Sequence, residues 1–282
     1  MKLGSISLAI AMGLFSITGM ASGSHDSHSS HDSMSAKACE GFGPQTPRDI
    51  DNVAGENKRI FNSAPAASEL NLCNIHFHNN AEHKAKDFSI LAKEKHGDSH
   101  GGHASGGGYQ CGMSKSLSAA ELKAPKTEIC KGLVPGDTIE VHWVHTSCDI
   151  KPGKGLGSCV SAACANPDLR VETQVFTVVN DSSALNFNDM TYDGNMVKGL
   201  HQAKVLPTKT GKPIEFLGST TGPSFTEQSC SPYQVTWSVR PKCAKVDINS
   251  LGEWCKGNAF KEDHAHGVRK LVTNPKLLSN IN

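Results

Sequence analysis

The ten residues "DTIEVHWVHT" (137–146) decide how this chain is read. Gly136 and Asp137 make a turn signal, and the residues after them are β-branched, aromatic or imidazole-bearing, the composition of a strand. Side chains on a strand alternate faces, so Glu140 and His142 share one face while Val141, Trp143 and His145 share the other. Three more stretches have the same character: "NLCNIHFH" (71–78), "LRVETQVFTVV" (169–179) and "YQVTWSVRP" (233–241). Helical signals are sparse, the best being "SAAELKA" (118–124) and "GVRKLVTNPKLL" (267–278). The chain is therefore expected to be mainly β (α+β), a single domain with few short helices.

The strand at 71–78 carries the second notable pair. His76 and His78 point to one face with Cα atoms roughly 6.6 Å apart, a spacing at which two imidazoles can converge on one ion with zinc–nitrogen bonds of about 2.0–2.1 Å. Spacing alone is weak evidence, because 14 histidines in 282 residues give roughly 0.7 such pairs by chance. The pair His264 and His266, in the charged segment "KEDHAHGVRK" without a strand pattern, reads as surface. What distinguishes His76 and His78 is the companion strand. His142 offers a third imidazole, and Glu140 lies on its face as the carboxylate that a metal-bound histidine usually engages through its other N–H. Three histidines leave one tetrahedral position open, the arrangement of catalytic rather than structural zinc. The same facing argument sets His145 and Cys73 away from the metal, as packing residues or, for Cys73, half of a disulfide.

The rest of the chain limits the setting. Lys2, the apolar run "ISLAIAMGLFSITGM", and Gly19 and Ala21 before Ser22 read as a signal peptide over 1–21. Residues 22–38 read as a His/Ser-rich disordered linker, 39–282 as the catalytic domain, and 95–108 within it as a mobile His/Gly loop. Ten cysteines in an exported chain point to disulfides, with about 945 possible pairings, so connectivity is not readable. No second apolar run is long enough to span a membrane. With 28 Lys+Arg against 27 Asp+Glu there is no basic footprint for nucleic acid. A small-molecule partner is expected, in a periplasmic or extracellular location.

In order, "HFH" (76–78), "EVHWVH" (140–145), "EFLGSTTGPSF" (215–225) and "YQVTWSV" (233–239) resemble the anchors of alpha-class carbonic anhydrases, and more closely those of the delta class. The resemblance implies a large twisted central β-sheet and reversible hydration of carbon dioxide to bicarbonate and a proton by zinc-bound hydroxide. His76, His78 and His142 would hold Zn2+, with Glu140 behind His142. Thr221 would accept a hydrogen bond from the hydroxide, and Glu82 would receive the bond from that threonine. Three departures stand out. Glu82 follows His78 by only four residues, the two histidine strands are separated by a longer insertion, and Gly222 replaces a threonine of the alpha pattern. The shuttle histidine of that pattern has no clear counterpart; His83, the 96–103 loop and His201 are the candidates. A rival reading takes "HFHNNAE" (76–82) as the first metal motif of a cupin barrel, with Glu82 as a ligand to iron or manganese. A third is a non-enzymatic exported metal-binding protein using the His-rich segments.

Overall fold

The computed structural model describes residues 39–93, 107–126, 130–222 and 224–282; the linker over 22–38 and most of the 95–108 loop lie outside them. The four stretches expected to be strands are strands: β1 (Asn71–Asn79), β4 (Thr138–Thr146), β5 (Leu169–Val179) and β9 (Gln234–Val239). Between and after them lie β2 (Phe88–Leu91), β3 (Tyr109–Cys111), β6 (Met196–Val197), β7 (Leu200–His201), β8 (Ile214–Ser219) and β10 (Ala244–Asp247). The main sheet is mixed and runs β1-β4-β5-β9-β8, with β10 also on β5. Strands β1, β4 and β5 pair antiparallel in sequence. On its other edge β5 pairs in parallel first with β9, through residues 170–173, and then with β10, through residues 176–179.

All nine residues of β4 are buried, so this strand is sandwiched between two apolar layers. On the Trp143 side, Ile75, Phe77, Val141, Phe176, Leu251, Trp254 and Phe260 form one core. On the His142 side, Val144, Val171, Val175, Phe216, Val235 and Trp237 form the second. Each side thus has its own core, and the polar side chains of β1 and β4 on the His142 side are enclosed by apolar neighbours.

A β-bulge between Leu72 and Asn74 corrects one sequence expectation. It shifts the alternation, so Leu72 joins the Ile75/Phe77 core and Cys73 joins the Val144/Trp237 core, on the histidine side. Cys73 is nevertheless half of a disulfide, to Cys159. The other bridges are Cys39–Cys230, Cys111–Cys243, Cys130–Cys255 and Cys148–Cys164, so all ten cysteines are paired. Five disulfides indicate an oxidising, exported environment.

The helical expectations fail. Residues 118–124 make a single turn, in which Ser118 and Glu121 cap each other, and Pro125 follows too soon for more. The 267–278 segment is extended apart from a 3-10 turn at Pro275–Leu277. Its backbone is committed to other parts of the chain, with the Arg269 N–H donating to Glu82 and the Val272 N–H to the Pro47 carbonyl. The α-helix among the described residues is instead α1 (Ile248–Lys256), capped by the Asp247 carboxylate and packed through Leu251 and Trp254 into the Trp143-side core. No helix among the described residues is long and apolar enough to cross a membrane.

Candidate metal centre

The register of β1 on β4 sets His76 opposite His142 and His78 opposite Glu140. The three imidazoles gather closely, with ring centroids 5.1 Å apart for His76 and His78, 5.0 Å for His76 and His142, and 4.8 Å for His78 and His142. One nitrogen from each lies within 4.8 Å of the others.

The outer nitrogens determine what the inner ones offer. His76 Nδ1 is 2.6 Å from Asn74 Oδ1, His78 Nδ1 is 2.9 Å from the Gly267 carbonyl, and His142 Nε2 is 2.7 Å from Glu140 Oε1. Carbonyl and carboxylate oxygens only accept, so each outer nitrogen donates, and a neutral imidazole then presents a lone pair on its other nitrogen. Those lone pairs, on His76 Nε2, His78 Nε2 and His142 Nδ1, face one region. His142 Nδ1 and His76 Nε2 are 3.2 Å apart, and His78 Nε2 is buried without a hydrogen-bond partner. Converging lone pairs around an orphaned buried nitrogen repel one another unless a cation accepts them, so the donor set fits a metal. Burial first, and then the neighbouring histidines, push the His76 pKa well below its usual value. Burial likewise lowers His78, against an opposing pull from Glu82. Both rings are held neutral, the form that binds a metal.

Glu140 is fully buried and accepts three hydrogen bonds: from His142 Nε2, from His83 Nδ1 at 2.8 Å and from the His83 backbone N–H at 3.1 Å. Burial by itself raises its pKa, but His83 and His142 outweigh that and hold it well below the usual carboxylate range. His83, Glu140 and His142 also lie close enough to be considered a metal group. The His83 Nδ1 and backbone N–H are spent on Glu140, leaving His83 Nε2 buried without a partner, and His142 Nε2 cannot serve both Glu140 and an ion, so this set acts as the support of the first. His83 is therefore no route to solvent; it is fully buried beneath Trp237, whose ring lies 4.7 Å from it and 5.1 Å from His142.

Glu82 lies outside the converging nitrogens. Its Oε1 accepts from the Arg269 N–H at 2.8 Å and is 3.7 Å from His78 Nδ1, the outer nitrogen. Its Oε2 is buried without a partner. Thr221 is buried two residues beyond β8. Gly222 after it takes a φ of +47°, where a β-branched residue is strained, which accounts for the glycine in place of threonine. His201 lines a surface groove with Lys151 and Ser158 and is 3.0 Å from the Tyr192 hydroxyl. His145 lies on the opposite face of β4, buried, with its Nδ1 3.0 Å from the Trp143 carbonyl.

His264 and His266 keep the surface character expected of them, with side chains 48% and 41% exposed, yet His266 also adjoins the centre. Its backbone bridges β1 at His78, and its ring lies 5.8 Å from that of His76 and 5.9 Å from that of His78. The bridge is too short to leave an alternating pattern, so the sequence gives no sign of it. Glu262, 2.6 Å from His266 Nε2, raises the His266 pKa against the effect of burial. Sequence reasoning also missed Asn74, although "NIH" (74–76) places it on the histidine face by the two-residue period.

No curated protein matches the chain. Two of the solved structures that resemble it do so distantly. A hyperthermostable carbonic anhydrase identified from an active hydrothermal vent chimney is 15% identical, with 83% of this chain and 87% of the other covered at a TM-score of 0.32. The Photobacterium profundum alpha-carbonic anhydrase is 16% identical, with 86% and 92% covered at a TM-score of 0.28. These values are too low to carry an argument. The family model for delta carbonic anhydrase matches residues 67–250. That match takes in both histidine strands and the Thr221 loop, more than half of the chain, and the protein belongs to the delta carbonic anhydrase family.

Proposed function

We propose that the protein is an exported zinc carbonic anhydrase, periplasmic or extracellular, that interconverts carbon dioxide and water with bicarbonate and a proton. In this reading His76 Nε2, His78 Nε2 and His142 Nδ1 hold the metal. The observation that carries it is the commitment of all three outer imidazole nitrogens to acceptors, which leaves three inner lone pairs converging and His78 Nε2 buried without a partner. When bound, zinc supplies Lewis acidity that brings the pKa of water from 15.7 to about 7.

The chain's own groups then have separate tasks. Asn74, the Gly267 carbonyl and Glu140 each hold one imidazole in the tautomer that faces inward, and the His83 N–H groups hold Glu140. As the resemblance implies, the Thr221 hydroxyl would accept a hydrogen bond from the attacking oxygen and donate its own to Glu82, whose Oε2 is buried without a partner. That pairing would orient the oxygen's lone pair toward carbon. His76 is half-buried where His78 and His142 are buried, so its side is the one from which substrate would enter and bicarbonate leave.

The cupin reading needs Glu82 among the ligands. Its carboxylate is turned toward the outer nitrogen of His78 and the Arg269 N–H, which supports a positioning role instead. The non-enzymatic reading rests on His-rich segments, most of which fall outside the described residues. The purified protein is expected to carry close to one zinc per chain and to hydrate carbon dioxide in a stopped-flow indicator assay, with inhibition by a sulfonamide. Zinc-loaded protein that hydrates carbon dioxide no faster than buffer removes the enzyme assignment.

A further inference from the structure

The loop between Cys148 and Cys164 is fastened twice. Its own bridge closes the base, and Cys159 ties it to Cys73 at the β1 bulge, immediately before Asn74. Around that tie the Gly153 N–H donates to the Cys73 carbonyl at 3.0 Å. The Ser158 hydroxyl lies 2.9 Å from the Cys73 carbonyl, 3.2 Å from that of Gly153 and 2.7 Å from that of Gly155. The Gly153 carbonyl in turn accepts from Asn74 Nδ2 at 3.0 Å.

This last contact decides the electronics of His76. A carbonyl can only accept, so Asn74 must turn its nitrogen to Gly153 and its oxygen to His76 Nδ1. The oxygen requires Nδ1–H, which leaves the lone pair of His76 on Nε2, facing His78 and His142. Without Gly153 the carboxamide is free to reverse and offer its nitrogen to His76 Nδ1. The imidazole proton then moves to Nε2, where it blocks the side on which a metal would bind.

We propose that the loop tethered by Cys73–Cys159 is a positioning device, selecting the His76 tautomer through Gly153 and Asn74, so that metal affinity depends on the integrity of that disulfide. The proposal rests on the metal reading above, but the tautomer can be read in metal-free protein, so the two fail separately.

The test uses the full exported chain with the paired substitution Cys73→Ser/Cys159→Ser, and separately Ser158→Ala, which loosens the same loop and leaves every disulfide in place. Nitrogen-15 NMR of the histidine rings in metal-free protein is expected to report Nδ1–H for His76 in the parent chain and a mixture of tautomers in both variants. Zinc affinity, measured by competition with a chelator of known strength, is expected to fall about 10- to 100-fold in the paired variant, the range for groups that orient a ligand. It is expected to fall less in Ser158→Ala. A loop that only stabilises the fold lowers the melting temperature without moving either readout. Retention of the Nδ1–H tautomer and of zinc affinity within twofold of the parent overturns the proposal. Should the paired variant not fold, the same two readouts on Ser158→Ala decide it.

Discussion

Replacing Glu140 by glutamine changes one oxygen to an NH2 group with almost no change in volume, at a fully buried site that faces three donors. Oε1 serves both imidazoles and Oε2 serves the His83 backbone N–H. With the glutamine oxygen at the first position, its NH2 faces the His83 N–H, and two donors meet in a dry site at a cost of about 1–3 kcal/mol. With the amide reversed, the NH2 faces His142 Nε2 and forces the proton onto Nδ1, the nitrogen turned toward His76. Either orientation works against the metal. Zinc affinity is expected to drop about 10- to 100-fold, or about 1.4–2.7 kcal/mol, as for other groups that orient a ligand. Competition with a fluorescent chelator gives the affinity, and denaturant unfolding of the metal-free protein gives the separate cost to the fold. Glu140→Gln protein that binds zinc within twofold of the parent, with unchanged stability, refutes the account of the buried carboxylate.

Glu82→Gln is expected to retain zinc and to lose at least about tenfold in hydration rate, in line with its placement outside the converging nitrogens; complete loss of metal identifies Glu82 as a ligand instead. Trp237 is 2% exposed, donates its indole N–H to the Ser219 carbonyl at 3.0 Å and covers His83 and His142. Its replacement by alanine should cost about 3–5 kcal/mol in denaturant unfolding, and a loss under about 1 kcal/mol contradicts the burial described. Burial first of all, opposed by Glu172, lowers the pKa of His145 from 6.5 to about 4. The unfolded chain therefore binds more protons than the folded one between those values, so stability is full above pH 6.5 and falls as the pH drops toward 4. At 1.36 kcal/mol per pH unit the contribution is about 3 kcal/mol. In metal-free protein this part of the acid slope should be missing from His145→Gln, and parallel pH profiles for the two proteins refute it.

The central strands were legible because burial on both faces selects β-branched and aromatic residues in runs, as in "LRVETQVFTVV", and because turn residues bound them. His76, His78, His142 and Glu140 could be set on common faces from the two-residue period alone. The register could not, because pairing His76 with His142 depends on which residues of two distant strands meet. The bulge at Cys73 was equally invisible, since one extra residue leaves no trace in composition and yet turns Leu72 and Cys73 to opposite sides. Short or locally weak elements account for the other misses. The helix at Ile248–Lys256 spans nine residues and contains Gly252, leaving the Asp247 cap as its main sign. The 267–278 segment has apolar residues at helical spacing, but its hydrogen bonds go to Pro47 and Glu82. His266 reaches the centre through a single bridge. Thr221 was marked by resemblance rather than by pattern, and its backbone context emerged only with the positive φ of Gly222.

The most direct test of the account is a zinc titration of metal-free protein followed by the carbon dioxide hydration rate. The account predicts activity that rises linearly and stops at one zinc per chain, and no activity at any zinc concentration for His142→Ala. Hydration that persists without zinc, or full activity in His142→Ala, contradicts it.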